Sequence, residues 1–385
     1  MTITSLIIFF GILFFLVVIH ELGHFVFAKW TKMRVDEFAF GFPPRLLSKK
    51  IGETLYSFNL IPLGGYVKIF GENGLTEEEK DKLSDHEKKQ LFGNKKISSR
   101  LLVLVGGVLF NIIGAYILFF FMLLGGTNVF LNPSTIELLS AEELNTKKLL
   151  LVNVKDGSPI ENSSLKVGDE VVSVSIIKDQ VLLELKKPGI NGKNLPEFIQ
   201  ANVDSEFLFK YVDEKGGPGE TRLIPKAGLV EGRKVLGASF ADQMYKEYSV
   251  GSAIVDAAKL TTGNLMFIFV SLYQLVVDLF AGKTNVEDNL AGPIGLAVLT
   301  TKVSERGLDD ILSFAAMLSL SLAAFNILPI PALDGGRVVF VLLEAVRKKK
   351  VRADIEQMFH GFGFLLLIML MLFVSYFDIV KAFTN

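Results

Sequence analysis

The chain has 385 residues, of which 50% are hydrophobic, and its formal net charge at pH 7 is −1. A charge this close to zero gives no electrostatic argument for binding nucleic acid. The positive mean hydropathy and the long apolar runs exclude an ordinary soluble protein and predict a polytopic α-helical membrane protein. Because the sequence contains no cysteine, any metal ion must be bound by nitrogen and oxygen ligands.

The first apolar run covers about residues 4–28 and is long enough to cross a bilayer as a helix. A cleaved signal peptide is the alternative. However, no basic segment precedes the run and no small-residue cleavage site ends it, and Lys29, Lys32 and Arg34 follow it. We therefore predict a retained transmembrane helix.

The second apolar run covers about residues 100–124 and contains Gly106, Gly107, Asn111 and Gly114. Small residues allow helices to approach closely in lipid, so this run predicts a tightly packed transmembrane helix. The stretch between the two runs is rich in lysine. By the positive-inside rule this stretch lies in the cytosol and the N-terminus lies outside.

Residues 128–248 are mixed in polarity and predict an inserted soluble domain. Short alternating runs at 149–154, 170–174 and 206–211 predict strands, and glycine-containing turns separate them. This β-rich domain is expected on the extracytoplasmic side, opposite the lysine-rich loop.

Two further apolar runs, at about residues 312–333 and 359–378, predict the last two transmembrane helices. The basic segment 347–352 lies between them and predicts a second cytosolic connection. With the first two runs, this gives four transmembrane helices.

The region 249–310 contains another apolar segment, residues 265–280. If this segment crossed the membrane, Asp334 would lie on the opposite side from His20, and the basic segment after Asp334 would lie outside. Gln274 and Asp278 also interrupt its apolar character. We therefore predict a surface or re-entrant helix that lies on or dips into the outer membrane face.

The sequence His20-Glu21-Leu22-Gly23-His24 is an HExxH motif within the first predicted helix. Residues i and i+4 share one helix face, so both imidazoles can bind one metal ion, and Glu21 can take a proton from a water molecule on that metal. The alternative is a hydrogen-bonded cluster without metal. Polar side chains in a transmembrane helix are costly unless they have partners, which favours metal binding.

A catalytic zinc usually has three protein ligands, so the motif needs one more. His86 lies in a charged, solvated stretch, and His360 opens the last apolar run without a local motif. Asp334 is the better candidate, because two prolines and two glycines interrupt the third predicted helix around it. Broken helices at membrane depth occur where they line protein or a water-filled cavity. The alternative is an Asp-Gly turn that only ends the helix.

The HELGH motif in the first span and the segment NILPIPALDGGR in the third (residues 326–337) together resemble the site-2 protease family of intramembrane metalloproteases. The order of spans, cytosolic loop and inserted domain is similar to the bacterial, regulator-of-sigma-E-protease-like branch. This branch cleaves anti-sigma factors and remnant signal peptides after a first extracytoplasmic cut, in regulated intramembrane proteolysis.

This resemblance implies Zn²⁺ as cofactor, with His20, His24 and Asp334 as ligands and Glu21 as general base. It also implies that Asn326, Pro329 and Pro331 hold the substrate backbone near the metal. The expected location is the bacterial inner membrane, with the active site near the cytosolic face and single-span membrane proteins as substrates.

The inserted domain resembles a bacterial PDZ domain at residues 156–159 and 165–174. Such domains accept extended peptides by strand addition. The sequence has room for one of them, and we interpret it as a filter that admits substrates already trimmed outside, with peptide binding as the alternative.

The segment 54–70 is alternating and strand-like, with a bend at Gly64 and Gly65. In the family the corresponding loop dips towards the active site, so Gly64, Gly65 and Tyr66 are predicted to bind substrate. A cytosolic amphipathic hairpin is the alternative. Residues 292–295, with the sequence GPIG, match another family motif, and we predict a tight-turn loop there.

Two other function classes compete with the protease. A cation transporter would suit polar residues in broken spans, but the chain lacks a second, inverted set of spans. A transporter would also have little use for Glu21 or for a PDZ-like domain. The second competitor is a membrane-anchored PDZ scaffold whose metal is structural or absent. Replacing Glu21 with glutamine separates the three, because only a protease loses its function while keeping the metal.

Overall fold

The computed structural model describes residues 2–72, 74–131, 146–178, 181–213, 215–230, 233–281, 292–349 and 351–384. The chain divides into two compact units, a helical unit formed by Met1–Gly125 with Tyr248–Asn385 and a β unit formed by Gly126–Glu247. The sequence analysis places the inserted domain at residues 128–248.

The helical unit contains most of the helices and a long hairpin. Its helices are α1 (Ile3–Trp30), α2 (Glu77–Asp81), α3 (Asp85–Gln90), α4 (Ile97–Leu124), α6 (Val250–Phe280), α7 (Pro293–Ser304), α8 (Leu308–Asn326), α9 (Asp334–Arg347) and α10 (Ala353–Thr384). Its strands are β1 (Val35–Ile51) and β2 (Thr54–Ile69). The remaining helix, α5 (Asn194–Ala201), belongs to the β unit.

Among the described residues, five helices are long and apolar enough to cross a membrane. Four of them overlap the predicted spans, and the fifth covers Val250–Asp278 within α6. The predicted combination of apolar helices with an inserted β-rich region is confirmed, but the count of four transmembrane helices is not. The segment 265–280 is the second half of α6, whose first half is buried against α4 and α8 through Ala253 and Ala257.

The predicted end of the third span at residue 333 is wrong, because α8 ends at Asn326. Pro329 and Pro331 lack a backbone N–H, and a residue that precedes proline is disfavoured in the α conformation. The chain therefore leaves the helix before the first proline and resumes helical structure only at Asp334.

Helices α1 and α4 cross at a pair of glycines. A Cβ atom on Gly23 would overlap the carbonyl oxygen of Gly106, and a Cβ on Gly106 would lie 2.7 Å from the carbonyl oxygen of Gly23. Only residues without a side chain permit this separation, as is typical of helix contacts in membranes. Helix α8 contributes small buried residues in the same way, among them Ala316, Ser319 and Ala323.

The hairpin of β1 and β2 turns at Gly52, whose φ of +62° favours glycine. Strand structure was predicted at 54–70, which contains β2, but not at β1. The first half of β1 pairs with two parts of β2, since Phe38 pairs with both Tyr56 and Val67. Its base is buried by α1, α4 and α9, where Val35 and Ile69 belong to one apolar cluster.

Residues 292–295 form the beginning of α7 and not the predicted loop. Gly292 is the N-cap and Pro293 occupies the first helical position, where proline needs no N–H partner. The carboxylate of Asp378, on α10, accepts a hydrogen bond of 2.8 Å from Gly295 N. The GPIG motif is therefore a helix N-terminus capped by an acidic side chain from another helix.

The β unit is built on one sheet with the strand order β3-β11-β4-β5-β7-β8, in which β6 also pairs with β5. Its strands are β3 (Thr127–Leu131), β4 (Lys148–Val154), β5 (Glu170–Lys178), β6 (Val181–Lys186), β7 (Phe207–Val212), β8 (Pro218–Leu223), β9 (Lys226–Val230), β10 (Arg233–Val235) and β11 (Ala238–Lys246). Strands β9 and β10 form a separate pair. Helix α5 covers the sheet with Leu195 and Ile199, which belong to the apolar core.

A buried ion pair joins Lys147 to Asp242 in the β unit, with 2.9 Å between Nζ and Oδ1. The two side chains are 2% and 1% exposed. Lys147 also donates to the carbonyl of Ile190, and Asp242 accepts from Gly192 N. Because both charges have additional hydrogen-bond partners, their burial is tolerated.

Candidate metal centre

The HExxH motif and Asp334 meet in the helical unit. The Nε2 atoms of His20 and His24 are 3.2 Å apart, and Asp334 Oδ2 lies 3.3 Å and 3.4 Å from them. The side chains are 15%, 11% and 21% exposed, in the order His20, His24, Asp334. Among the described residues they form the one group of three or more candidate metal-binding side chains. The fold thus unites residues that are 310 positions apart in the sequence (334 − 24).

Helix α4 contacts the second nitrogen of both rings. His24 Nδ1 lies 2.9 Å from the carbonyl oxygen of Val103. Because a carbonyl oxygen only accepts, this nitrogen carries the proton in the neutral ring, and the Nε2 lone pair points towards His20 and Asp334. His20 Nδ1 lies 3.1 Å from the side-chain amide of Asn111.

Gly107 on α4 provides the space for both rings. A Cβ atom at this position would lie 2.5 Å from His20 Cε1 and 2.5 Å from His24 Nε2. The α1–α4 glycine contact therefore brings a bare backbone against the two imidazoles.

Asp334 is the first residue of α9, where the helix N-terminus favours a negative charge. Gly335, which follows it, is buried so closely that a Cβ would overlap the carbonyl oxygens of Ile327 and Leu328. In the preceding loop, Ala332 has a φ of +73°, which is uncommon for a residue with a side chain. Its N–H donates a 2.9 Å hydrogen bond to Nδ1 of His360 on α10.

The three converging atoms fit a zinc ion. Zinc bound by nitrogen and oxygen at about 2.0–2.1 Å in a tetrahedron holds its ligand atoms about 3.3–3.4 Å apart. Two imidazole lone pairs and a carboxylate oxygen repel one another at such distances unless a cation lies between them. Within the described part of the chain, Asp334 Oδ2 is also buried without a hydrogen-bond partner.

Glu21 lies between the two histidines in sequence and next to the hairpin in space. A Cβ on Gly65 would lie 2.9 Å from Glu21 Cγ and 2.8 Å from the carbonyl oxygen of Ala39. The base of the hairpin is also joined to α9 by an ion pair between Glu72 and Arg337. The hairpin therefore contacts both the helix that carries Glu21 and the helix that carries Asp334.

The other predicted substrate-binding residues lie near these elements. Gly64 has a φ of +138° and faces the ring of Phe42, on which half-buried Tyr66 stacks. Asn326 is the last residue of α8. Pro329 and Pro331 belong to the loop before Asp334, Pro329 exposed and Pro331 against Gly363 of α10. Their contact with a substrate stays a prediction.

Sequence reasoning missed several residues of the site. It recognised Gly107 and Asn111 only as packing residues of the second span, although they are four positions apart and share a helix face. A polar residue in an apolar span is itself a functional signal. His360 has no local motif that could have revealed its contact with the Asp334 loop. His86 is exposed on α3, in agreement with the prediction that it is not a ligand.

Comparison with known proteins extends over nearly the whole chain. Residues 8–370 match peptidase family M50. Zinc metalloprotease RasP of Oceanobacillus iheyensis is 28% identical over 458 residues, and the alignment covers 99% of each chain. Regulator of sigma-W protease RasP of Bacillus subtilis is 26% identical over 453 residues, again with 99% of each chain covered. A relative from Fusobacterium nucleatum is 30% identical over 390 residues, and the alignment covers 100% of each chain.

Proposed function

Because the chain belongs to peptidase family M50, the site-2 protease family, and is an intramembrane zinc metalloprotease, we propose that it hydrolyses the transmembrane segments of single-span membrane proteins. One observation carries the proposal: three metal-binding side chains and Glu21 meet on helices of an apolar bundle, with little exposure to solvent. A soluble peptide does not require such a site, whereas a membrane-embedded substrate does.

The candidate substrates are an anti-sigma factor and remnant signal peptides, each after a first extracytoplasmic cut. The Bacillus subtilis relative carries the name Regulator of sigma-W protease RasP, and its reference to a sigma factor supports the first of these classes. The location that suits both is the bacterial inner membrane, with the metal site near the cytosolic face and the β unit outside.

His20, His24 and Asp334 are the residues that would hold the zinc ion. Zinc, when bound, supplies a Lewis acid that polarises the scissile carbonyl and activates water. Glu21 takes a proton from the attacking water and then donates it to the leaving amine as the peptide bond breaks. Val103 O fixes the His24 tautomer in which Nε2 can bind the metal.

The hairpin can hold the substrate backbone. A helical substrate must unwind before hydrolysis, and its freed amide groups then need hydrogen-bond partners. Within the described residues, the strand at 65–69 pairs with β1 on one side, and no further pairing uses its other edge. Strand addition at that edge would place an extended peptide beside Gly65, and therefore beside Glu21.

The outer half of the hairpin suits contact with lipid. Residues 42–53 are exposed, and they include Leu46, Leu47 and Ile51 with 52%, 72% and 58% exposure. Exposed apolar side chains next to Lys49 and Lys50 are typical of segments at a membrane interface. This supports the membrane-dipping hairpin over a wholly cytosolic one.

The test is cleavage of a model single-span substrate in detergent by wild type and by Glu21→Gln, with zinc content measured on both. We expect Glu21→Gln to retain zinc and to lose at least about 100-fold of the rate, the usual contribution of a general base. Glu206→Gln is the matched control, because Glu206 is an exposed partner of Arg222 in the β unit, outside the helical unit that holds the site.

The competing functions give other results. If Glu21→Gln cleaves like wild type, Glu21 is not the base. If both proteins bind zinc and neither cleaves any of a panel of substrates, a cation transporter or a scaffold with a structural metal replaces the protease.

A further inference from the structure

Asn111 is a fully buried polar residue in an apolar stretch of α4, and its exposure is 0%. Its side chain lies 3.1 Å from His20 Nδ1. Among the described residues, its Oδ1 atom is buried and has no hydrogen-bond partner. Its backbone carbonyl accepts a 2.7 Å hydrogen bond from Ser319 Oγ on α8. A buried amide with an unpartnered oxygen beside a histidine requires an explanation.

The orientation of the His20 ring defines which nitrogen can bind metal. Its Nε2 atom is the one near His24 Nε2 and Asp334 Oδ2. When Nε2 binds zinc, Nδ1 must carry the proton and can only donate. The group opposite Nδ1 must then be an acceptor.

Asn111 has such an acceptor. In the structure, Nδ2 of its amide faces His20, and Oδ1 has no hydrogen-bond partner among the described residues. The two ends of an asparagine amide are equal in shape, so a half-turn of the amide places Oδ1 at His20 Nδ1. That rotation exchanges the positions of Oδ1 and Nδ2 and supplies the acceptor that matches the proton that zinc binding leaves on Nδ1.

We propose that Asn111 is the positioning residue for His20: its Oδ1 accepts the Nδ1 proton and holds the ring with Nε2 towards the zinc ion. This inference rests on the ligand set of the proposed function. It parallels the contact between His24 Nδ1 and Val103 O, so that one helix, α4, orients both histidines of α1.

The experiment measures zinc dissociation constants of the full-length protein in detergent, by competition with a chromophoric chelator. Asn111→Leu removes the acceptor and keeps the branched shape of the side chain, and Asn111→Asp keeps the acceptor. We expect Asn111→Leu to bind zinc about 10- to 100-fold more weakly, the usual effect of losing such a contact. Asn111→Asp should bind zinc at least as tightly as wild type, because a carboxylate also accepts the Nδ1 proton.

Ser319→Ala is the control for helix packing, since it removes a contact to the Asn111 backbone and leaves the side chain in place. It should bind zinc like wild type. Equal affinities for wild type and Asn111→Leu would overturn the inference, and so would equal weakening by Asn111→Leu and Ser319→Ala. If Asn111→Asp does not fold, the comparison of Asn111→Leu with Ser319→Ala still tests the role of Asn111.

A further variant separates this inference from the proposed ligand set. His20→Ala should abolish tight zinc binding. Undiminished zinc binding by His20→Ala would refute the ligand assignment and, with it, the role of Asn111. Loss of zinc in His20→Ala together with unchanged affinity in Asn111→Leu would refute the role of Asn111 alone.

Discussion

Gly107 shows how the metal centre depends on the absence of a side chain. Two imidazoles can lie against α4 only because nothing extends from its backbone at this point. The glycine pair at Gly23 and Gly106 brings the two helices to the required separation. The glycines of the second span therefore provide space for the two imidazoles as well as for helix packing.

We predict that Gly107→Ala weakens zinc binding. The added methyl group would lie 2.5 Å from atoms of both rings, so the rings must move. Overpacking of this kind costs about 1–3 kcal/mol, which corresponds to roughly 5- to 150-fold in the dissociation constant. Zinc affinity from chelator competition measures the effect.

Gly114→Ala is the control for Gly107→Ala, because it lies on the same helix and its Cβ would meet only apolar side chains, those of Ile19 at 3.3 Å and Phe15 at 3.6 Å. It should keep the wild-type affinity. If both alanine variants bind zinc equally well, the clearance at Gly107 is not needed for the site.

Among the helices, α8 ends at Asn326 and α9 begins at Asp334, so a loop interrupts the helical structure between them. The loop between them contacts α10 through His360 and Gly363. A second contact to α10 is made by α7, whose N-terminus is capped by Asp378. The last helix therefore contacts both the loop that precedes Asp334, a proposed metal ligand, and the N-terminus of α7.

We predict that Asp378→Ala lowers the thermal unfolding midpoint, because it removes the cap of α7. Loss of an N-terminal cap costs about 0.5–2 kcal/mol, or about 1–8 °C in the midpoint for a large domain. Asp378→Asn should be close to wild type, since its carbonyl oxygen can still accept from Gly295 N. Differential scanning fluorimetry in detergent would measure these midpoints.

Asp278→Ala is the matched control for the Asp378 cap, since Asp278 is another acidic residue of an apolar helix and its partner, Gln274, is exposed. Its midpoint should stay within error of wild type. A midpoint for Asp378→Ala equal to that of Asp278→Ala would contradict the capping role.

At the scale of the whole molecule, the β unit has its own core and its own candidate binding surface. A cavity of about 400 Å³ is lined by residues of α5, such as Ile199, and by the chain from Lys234 to Phe240. In β11, the residues Ala238–Ala241 pair with β4, while within the described ranges β3 pairs with β11 from Asp242 onwards. This edge and cavity suit the peptide-binding alternative, whereas the filter requires only the bulk of the unit.

We predict that the β unit acts as a filter. Addition of a folded domain to the outer end of a trimmed substrate should reduce cleavage at least about tenfold, equivalent to about 1.4 kcal/mol. Lys234→Glu, at the cavity, should leave cleavage of the trimmed substrate unchanged. Cleavage rates in detergent for the four combinations of enzyme and substrate measure both effects.

The peptide-binding alternative gives the opposite pattern for the trimmed substrate. In that case Lys234→Glu would slow its cleavage, because the charge at the cavity is reversed. The added folded domain would have little effect as long as the peptide end stays accessible.

Local sequence patterns are enough to predict the metal-binding chemistry and the membrane class of this protein. The HExxH motif needs only helical periodicity to place two histidines on one face, and the apolar runs need only their length to predict transmembrane helices. Local rules also predicted several strands of the β unit. The family resemblance is confirmed by the match over residues 8–370. The third ligand is still a prediction, although Asp334 lies against both histidines.

The residues that surround the HExxH motif from distant parts of the sequence are known only from the tertiary structure. No local pattern indicates that Gly107 clears the space for His20 and His24, or that Asn111 faces His20 Nδ1. The partner of Ala332 on α10 and the cap of α7 likewise depend on how separate helices pack. Periodicity reports which face of an element is apolar, but the residues that meet across two faces are selected by packing at close range, which a single sequence does not contain.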